Sequence, residues 1–211
     1  QDRATEVQTV GSAGRAKGPM DSSSPPKRRT IYLAGPDCFR SDAFEHYEKM
    51  KLLAQAKGFH AISPLDSEVD IEARDIMETI FKLNMEDIDV ADVIVANCEA
   101  FRGACVDDGT AFELGVACAK GKPLVLYTPT AATPLRERLA ADFKDESRAA
   151  YFQQEKYPRT EDFPGAQEPG PVNLMITEAA RASRGGAIFT TYEECLAYLA
   201  REDCPCFSST N

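Results

Sequence analysis

Apolar and polar positions follow two different spacings along residues 30–199. Five short apolar runs predict buried strands, at residues 30–34, 59–63, 93–96, 123–127 and 187–189. The segments between these runs carry apolar residues at helical spacing. Such alternation predicts an α/β protein with a doubly wound (Rossmann/flavodoxin-like), mainly parallel sheet of about five strands and helices on both faces.

Capping residues locate several of the predicted helices. Asp42 and Glu45 form a cap-like pair at the start of the first helix. The apolar stripe of that helix is Phe44, Tyr47, Met50 and Leu53. Thr133-Pro134 opens a later helix, because proline is tolerated at the first helical position. Thr191 and Glu194 match a capping box and predict the start of the last helix.

The second predicted helix carries polar residues on its apolar stripe. Ile76, Ile80 and Leu83 define the stripe, and Asn84 and Asp87 lie on it at helical spacing. Asn84 is interpreted either as a partner of a neighbouring loop or as a ligand contact. Asp87 is interpreted as a solvated or helix-end charge.

Composition divides the chain into one domain and two tails. Residues 1–28 are rich in Ser, Gly, Pro, Lys and Arg, and we expect a disordered tail there. Residues 29–203 form the predicted domain, and residues 204–211 a C-terminal tail. A polar, proline-rich loop at about 146–170 is a candidate lid or interface.

Charge and cysteine content restrict the partners. The 211 residues carry a net charge of −10, which argues against a nucleic acid polymer as ligand. No apolar run approaches the ~20 residues that cross a bilayer, so we expect no membrane partner. Seven cysteines without a Cys-x-x-Cys pair indicate reduced thiols and a cytoplasmic protein. Two histidines without clustered cysteines predict no metal.

Acidic residues follow the third predicted strand. The segment from Asp107 to Gly115 reads Asp-Asp-Gly-Thr-Ala-Phe-Glu-Leu-Gly, and it predicts a helix at about 110–120 that begins after an acidic loop. In open α/β sheets, the loops after the strands form the ligand crevice, so we expect Asp107 and Glu113 to lie there. Helix-terminal N–H groups favour negative charge, and we therefore expect Glu113 to be ionised and available as a nucleophile.

Several ordered motifs carry a resemblance to a known family. The chain has no Gly-x-Gly-x-x-Gly, no P-loop and no Gly-x-Ser-x-Gly elbow. The motifs present are Tyr32-Leu33-Ala34-Gly35-Pro36, Pro64-Leu65-Asp66, Phe101-Arg102-Gly103, the segment 107–115 and Asn173-Leu174-Met175. In this order and spacing, they resemble the nucleoside 2-deoxyribosyltransferases over roughly residues 30–200.

The resemblance implies a role for each matching residue. That family exchanges the base of a 2′-deoxynucleoside through a covalent deoxyribosyl ester, with no metal or cofactor. Glu113 falls on its nucleophile, Asp107 on the carboxylate that faces the nucleobase, and Tyr32 on the tyrosine that contacts the nucleophile. The substrate-binding positions implied are Gly35, Asp66, Asn84 and Gly109. Phe39, in the loop after the first strand, is a candidate aromatic wall for the base.

The resemblance also implies an assembly. Asn173 and Met175 match positions that enter the neighbouring subunit's pocket and contact the sugar's 5′-hydroxyl, so we expect a dimer-based homo-oligomer. The expected ligands are 2′-deoxynucleosides and free nucleobases. Asn84 matches an acidic residue in some members and asparagine in others, which leaves base selectivity open.

Other interpretations stay open at this point. Thr110-x-x-Glu113 is itself a capping-box pattern, and Asp108 would cap the helix if Glu113 acts as a nucleophile. Asp107 fits a plain loop acid, and Tyr32 a core aromatic. Two other functions compete with base exchange: hydrolysis of deoxynucleoside 5′-monophosphates by the same nucleophile, and noncatalytic nucleotide sensing.

Overall fold

The computed structural model describes residues 28–144 and 170–208. The predicted N-terminal tail, except for Arg28, and nearly all of the predicted loop at 146–170 lie outside the described residues. Five strands are present: β1 Thr30–Ala34, β2 His60–Ile62, β3 Val93–Asn97, β4 Leu124–Tyr127 and β5 Ala187–Phe189. They form one parallel sheet in the order β2-β1-β3-β4-β5, which confirms the predicted fold class.

Helices connect the strands. In chain order they are α1 Ala43–Ala56, α2 Ile76–Val90, α3 Asp108–Ala119, α4 Leu135–Lys144, α5 Leu174–Ala182 and α6 Tyr192–Leu199. Two short 3₁₀ turns lie at Pro36–Phe39 and Pro205–Phe207. None of the described helices is both long enough and apolar enough to span a bilayer.

Alternate residues of each central strand pack on opposite faces of the sheet, as the period of two requires. On one face, Ile31 and Leu33 of β1 pack with buried residues of α1 and α6. On the other face, Tyr32 and Ala34 pack with buried residues of α2, α3 and α5. All five residues of β3 are buried, and the four from Val93 to Ala96 form a continuous apolar run rather than an alternating one.

The order of the strands creates the crevice. From β1 the chain moves outward to β2, then returns to β3 on the other side of β1, with Ile31 opposite Val93 and Ala34 opposite Ala96. The strand order therefore reverses between β1 and β3. Ligands of open α/β sheets bind at the carboxyl ends of the strands beside such a reversal.

The structure corrects three local predictions. Asp42 makes no capping hydrogen bond and pairs with Arg40 instead, and Phe44 and Leu53 are exposed rather than buried in α1. Residues 204–208 are not a tail, because Cys204 and Cys206 are buried in the core and the Phe207 ring packs against Phe59. The Thr191–Glu194 capping box is confirmed.

Helix α5 is absent from the sequence prediction. Asn173 caps it by accepting a hydrogen bond from the Met175 N–H, and Thr177 and Ala180 are buried. The capping asparagine and the apolar positions that follow are a usable signal, but the nine-residue helix offers only about two and a half turns of periodicity.

Candidate active site

Three elements bring one polar group each to the carboxyl end of β1. Tyr32 lies on β1, Asn84 on α2 and Glu113 on α3. The Tyr32 hydroxyl donates to Glu113 Oε1 at 2.6 Å, and Asn84 Nδ2 donates to the same oxygen at 3.4 Å. Among the described residues, both hydrogen bonds to Glu113 end on Oε1, so Oε2 is free to face a ligand.

Asp107, not Asp108 or Thr110, caps α3. Its Oδ2 accepts from the Thr110 N–H at 2.8 Å and from Thr110 Oγ1 at 3.0 Å. The capping-box interpretation of Glu113 and the proposed Asp108 cap are therefore both wrong. Because Asp107 satisfies the first turn, the Glu113 side chain is released to bind Tyr32 and Asn84.

The Glu113 carboxyl has an unusual acidity. Burial raises its pKa from 4.5 to about 7, the negative charges of Asp107 and Asp87 add to the rise, and the hydrogen bond from Tyr32 opposes it. The expectation of a fully ionised carboxylate is wrong near neutral pH, because both forms are present there. Burial and the adjacent Glu113 carboxyl group raise the pKa of Tyr32, so the Tyr32 hydroxyl keeps its proton.

Asp87 also takes part in this electrostatic environment. Burial raises its pKa to about 6, and the charges of Asp66 and Glu86 contribute. Its charge acts on both Tyr32 and Glu113. Asp87 is therefore half-buried in the last turn of α2 rather than fully solvated, and Asn84 of the same stripe lines the pocket.

Glu113 lies in the wall of a pocket of about 770 Å³. This volume falls within the ~300–1,000 Å³ typical of small-molecule sites. Lining residues predicted from sequence are Gly35, Phe39, Asn84, Asp107, Gly109 and Glu113. Lining residues that sequence reasoning missed are Cys38, Thr110 and the apolar side chains of the segment 64–83, among them Leu65, Val69, Ile80 and Leu83.

The ionisable side chains that line the pocket within the described residues are all acidic. The pocket's charged lining residues within the described chain are Glu68, Asp107 and Glu113, with no lysine, arginine or histidine. The remaining lining is mostly apolar. Such a pocket favours neutral ligands over phosphorylated ones.

Phe39 forms an aromatic edge of the pocket. The residue is 59% exposed, and its ring stacks on Phe101 with a centroid distance of 5.3 Å. The Arg102 guanidinium lies over both rings, 5.3 Å from the centroid of Phe39 and 4.6 Å from that of Phe101. The stack supports the Phe39 ring from outside the pocket.

Four predicted residues do not line this pocket. Tyr32 is fully buried and reaches the site through its hydrogen bond to Glu113. Asp66 accepts from the Ser63 N–H and hydroxyl and pairs with Lys51 Nζ at 2.5 Å, in a neighbouring depression of about 390 Å³. Asn173 caps α5, and Met175 is 71% exposed. Neither of these last two residues lines the pocket of its own chain.

The fold and site define an α/β protein with a tyrosine-bound carboxyl group in the crevice of a doubly wound sheet. The sequence profile of the nucleoside 2-deoxyribosyltransferase family matches residues 31–175. The chain belongs to the nucleoside 2-deoxyribosyltransferase family.

One curated relative is identical to this chain at about a third of the aligned positions. An uncharacterized protein of Schizosaccharomyces pombe, C191.05c, is 32% identical over 120 residues, which cover 54% of this chain and 57% of that protein. The chain thus spans little more than half the length of this curated relative.

Solved structures share the fold. A 2-desoxiribosyltransferase from Leishmania mexicana aligns with a TM-score of 0.58 and 27% identity, covering 83% of this chain and 99% of that one. A conserved protein from Enterococcus faecalis aligns with a TM-score of 0.53 and 21% identity over 81% of this chain and 96% of that one. At this identity, the second likeness concerns the fold alone.

Proposed function

We propose that this protein transfers the 2-deoxyribosyl group of a 2′-deoxynucleoside from one nucleobase to another, through an ester on Glu113. The observation that supports this proposal most directly is the placement of the Glu113 carboxyl group. Tyr32 and Asn84 hold one of its oxygens, and the other is free for attack in the wall of a pocket of suitable size.

In the first step, Glu113 Oε2 attacks C1′ of the sugar. The bond between C1′ and the base nitrogen breaks, and the base leaves with the bonding electron pair and takes up a proton. Asp107 lines the pocket, and only its Oδ2 is occupied by the cap of α3 within the described residues. Its second oxygen is the candidate carrier of that proton.

In the second step, a nitrogen of the incoming base attacks C1′ and breaks the ester bond. Glu113 regains its carboxylate, and the base nitrogen loses its proton to Asp107. Two inversions keep the anomeric configuration, as in a retaining glycosidase. Only the ionised form of Glu113 attacks, so its raised pKa couples the rate to pH near neutrality.

The substrate is a neutral deoxynucleoside in this proposal. The charged residues of the pocket wall are acids, which disfavours the 5′-phosphate required by the competing hydrolase. Asn173 and Met175, which lie away from this pocket, are proposed to complete the site of a second protomer. The exposure of Met175 is consistent with that role.

Incubation of a deoxynucleoside with a panel of free bases, followed by chromatography, tests the proposal. We expect new deoxynucleosides, and a deoxyribosyl adduct in the intact mass that is lost in Glu113→Ala. Glu45→Gln, at an exposed position of α1, is the control. Release of base without exchange, fastest from the 5′-monophosphate, would identify a hydrolase. Binding with no turnover of either substrate would identify a sensor.

A further inference from the structure

A buried carboxylate outside the pocket connects three elements of the fold. Asp37, in the 3₁₀ turn after β1, is 6% exposed. Its Oδ2 accepts from Asn97 Nδ2, at the end of β3, at 3.0 Å. Its Oδ1 lies 3.2 Å from His46 Nε2, on α1. One carboxylate oxygen therefore accepts a hydrogen bond from β3, and the other lies at ion-pair distance from an imidazole nitrogen of α1.

The orientation of Asn97 is fixed by a second hydrogen bond. Its Oδ1 accepts from the Glu99 N–H at 3.0 Å, so its Nδ2 must face Asp37. The backbone supports the same contact, because a Cβ on Gly35 would lie 2.7 Å from the Cβ of Asn97. Gly35 also has φ 150, a conformation that other residues rarely adopt.

The turn held in this way forms one wall of the pocket. Gly35, Cys38 and Phe39 line the pocket, whereas Asp37 between them does not. None of the Asp37 contacts involves Glu113, whose carboxyl group is held independently by Tyr32 and Asn84. The bonds of Asp37 therefore set the distance between the Phe39 wall and the nucleophile without touching the reacting atoms.

We propose that Asp37, through its hydrogen bond from Asn97 and its contact with His46, is a positioning residue that holds the base-binding wall of the pocket. The inference rests on the proposed function. Loss of these bonds lets the turn shift, so base and nucleoside bind more weakly. The attacking group keeps its own contacts, and the turnover of bound substrate changes little.

A side-chain exchange isolates this role. Asn97→Asp places two carboxylates face to face but keeps the acceptor for Glu99 N–H. The double variant Asp37→Asn/Asn97→Asp reverses the direction of the hydrogen bond and keeps the acceptor for Glu99 N–H. The amide introduced at position 37 donates to the carboxylate introduced at position 97, and its oxygen still faces His46 Nε2. Asp42→Asn is the control, because Asp42 is an exposed partner of Arg40 just after the same turn.

We expect Asn97→Asp to raise KM for donor and acceptor by about tenfold or more, the usual effect of losing a hydrogen bond to a charged group. The value of kcat, expressed per active site that forms the deoxyribosyl adduct, should stay within about threefold of the wild-type value. The double variant should restore KM to within about threefold of the wild type. A purely structural role would lower the melting temperature of Asn97→Asp and leave KM of the folded protein unchanged.

Calorimetry with the donor deoxynucleoside separates this inference from the proposed function. Wild-type protein that binds the nucleoside and exchanges no base refutes the transferase proposal, while its Kd across the same variants still tests the positioning role. Unchanged affinity in Asn97→Asp, or no recovery in the double variant, overturns the inference. Wild-type protein that binds no deoxynucleoside overturns both.

Discussion

Replacing Tyr32 with phenylalanine should move the acid limb of the pH–rate profile to higher pH. The hydrogen bond from the Tyr32 hydroxyl lowers the pKa of Glu113, whereas burial, Asp107 and Asp87 all raise it. Without the hydroxyl, a larger fraction of Glu113 is in the protonated, unreactive form at a given pH. The sign is fixed because a carboxyl group that loses a donor to its charged form becomes a weaker acid.

The magnitude follows from the 2.6 Å hydrogen bond between Tyr32 and Glu113 Oε1. A hydrogen bond to a charged group contributes about 1.5–3 kcal/mol. At about 1.36 kcal/mol per pH unit, that corresponds to a shift of about 1–2 units above the wild-type value of about 7. The variant should therefore react slowly at neutral pH and recover part of the lost rate in alkaline buffer.

The steady-state kcat/KM for base release, measured from about pH 5 to about pH 9.5, reports this pKa for the free enzyme. Tyr47→Phe is the matched control, because the buried Tyr47 hydroxyl has no hydrogen-bond partner among the described residues. Asp87→Asn removes a negative charge and should shift the limb to lower pH. An acid limb that stays in place or moves downward in Tyr32→Phe would refute the proposed electrostatics.

Three further predictions concern the same site. Glu113→Gln should raise the free energy of unfolding at pH 8 by at most about 3 kcal/mol, from the pKa rise of 4.5 to about 7. Wild-type stability falls as pH rises through that window, so the gain should vanish in denaturant titrations near pH 4. Asp107→Ala should cost about 1 kcal/mol by uncapping α3, whereas Asp107→Asn should keep the cap and the melting temperature. Both variants should lose about 100-fold or more in kcat if Asp107 carries the proton, and an unaffected Asp107→Asn would exclude that role. Asn84→Asp places a second negative charge beside Glu113 and should move the acid limb upward, and an unchanged profile would show that the 3.4 Å contact is absent in solution.

The strands and the last capping box were readable from the chain alone, because their causes are local. A strand buried on both faces is typically a continuous apolar run, and the segment 93–96 of β3 is of this kind. A capping box needs only residues three apart, and Thr191 with Glu194 forms one as predicted. The same pattern at Thr110 and Glu113 does not form a capping box, because Asp107, three residues before Thr110, is the N-cap of α3.

The contacts that make the site belong to distant parts of the chain. Tyr32 and Glu113 are 81 residues apart, and Asn97 and Asp37 are 60 apart. Sequence spacing cannot specify such pairs, because packing of helices on the sheet decides which side chains meet.

The sequence by itself determined the parallel sheet, its crevice and the acidic segment that follows β3, since each depends on local polarity and spacing. The tertiary structure alone decided that Glu113 is buried against Tyr32 and Asn84 and that its pKa is about 7. Acidity depends on the solvent and charge that surround a group, and those are supplied by β1, α2 and α3 together.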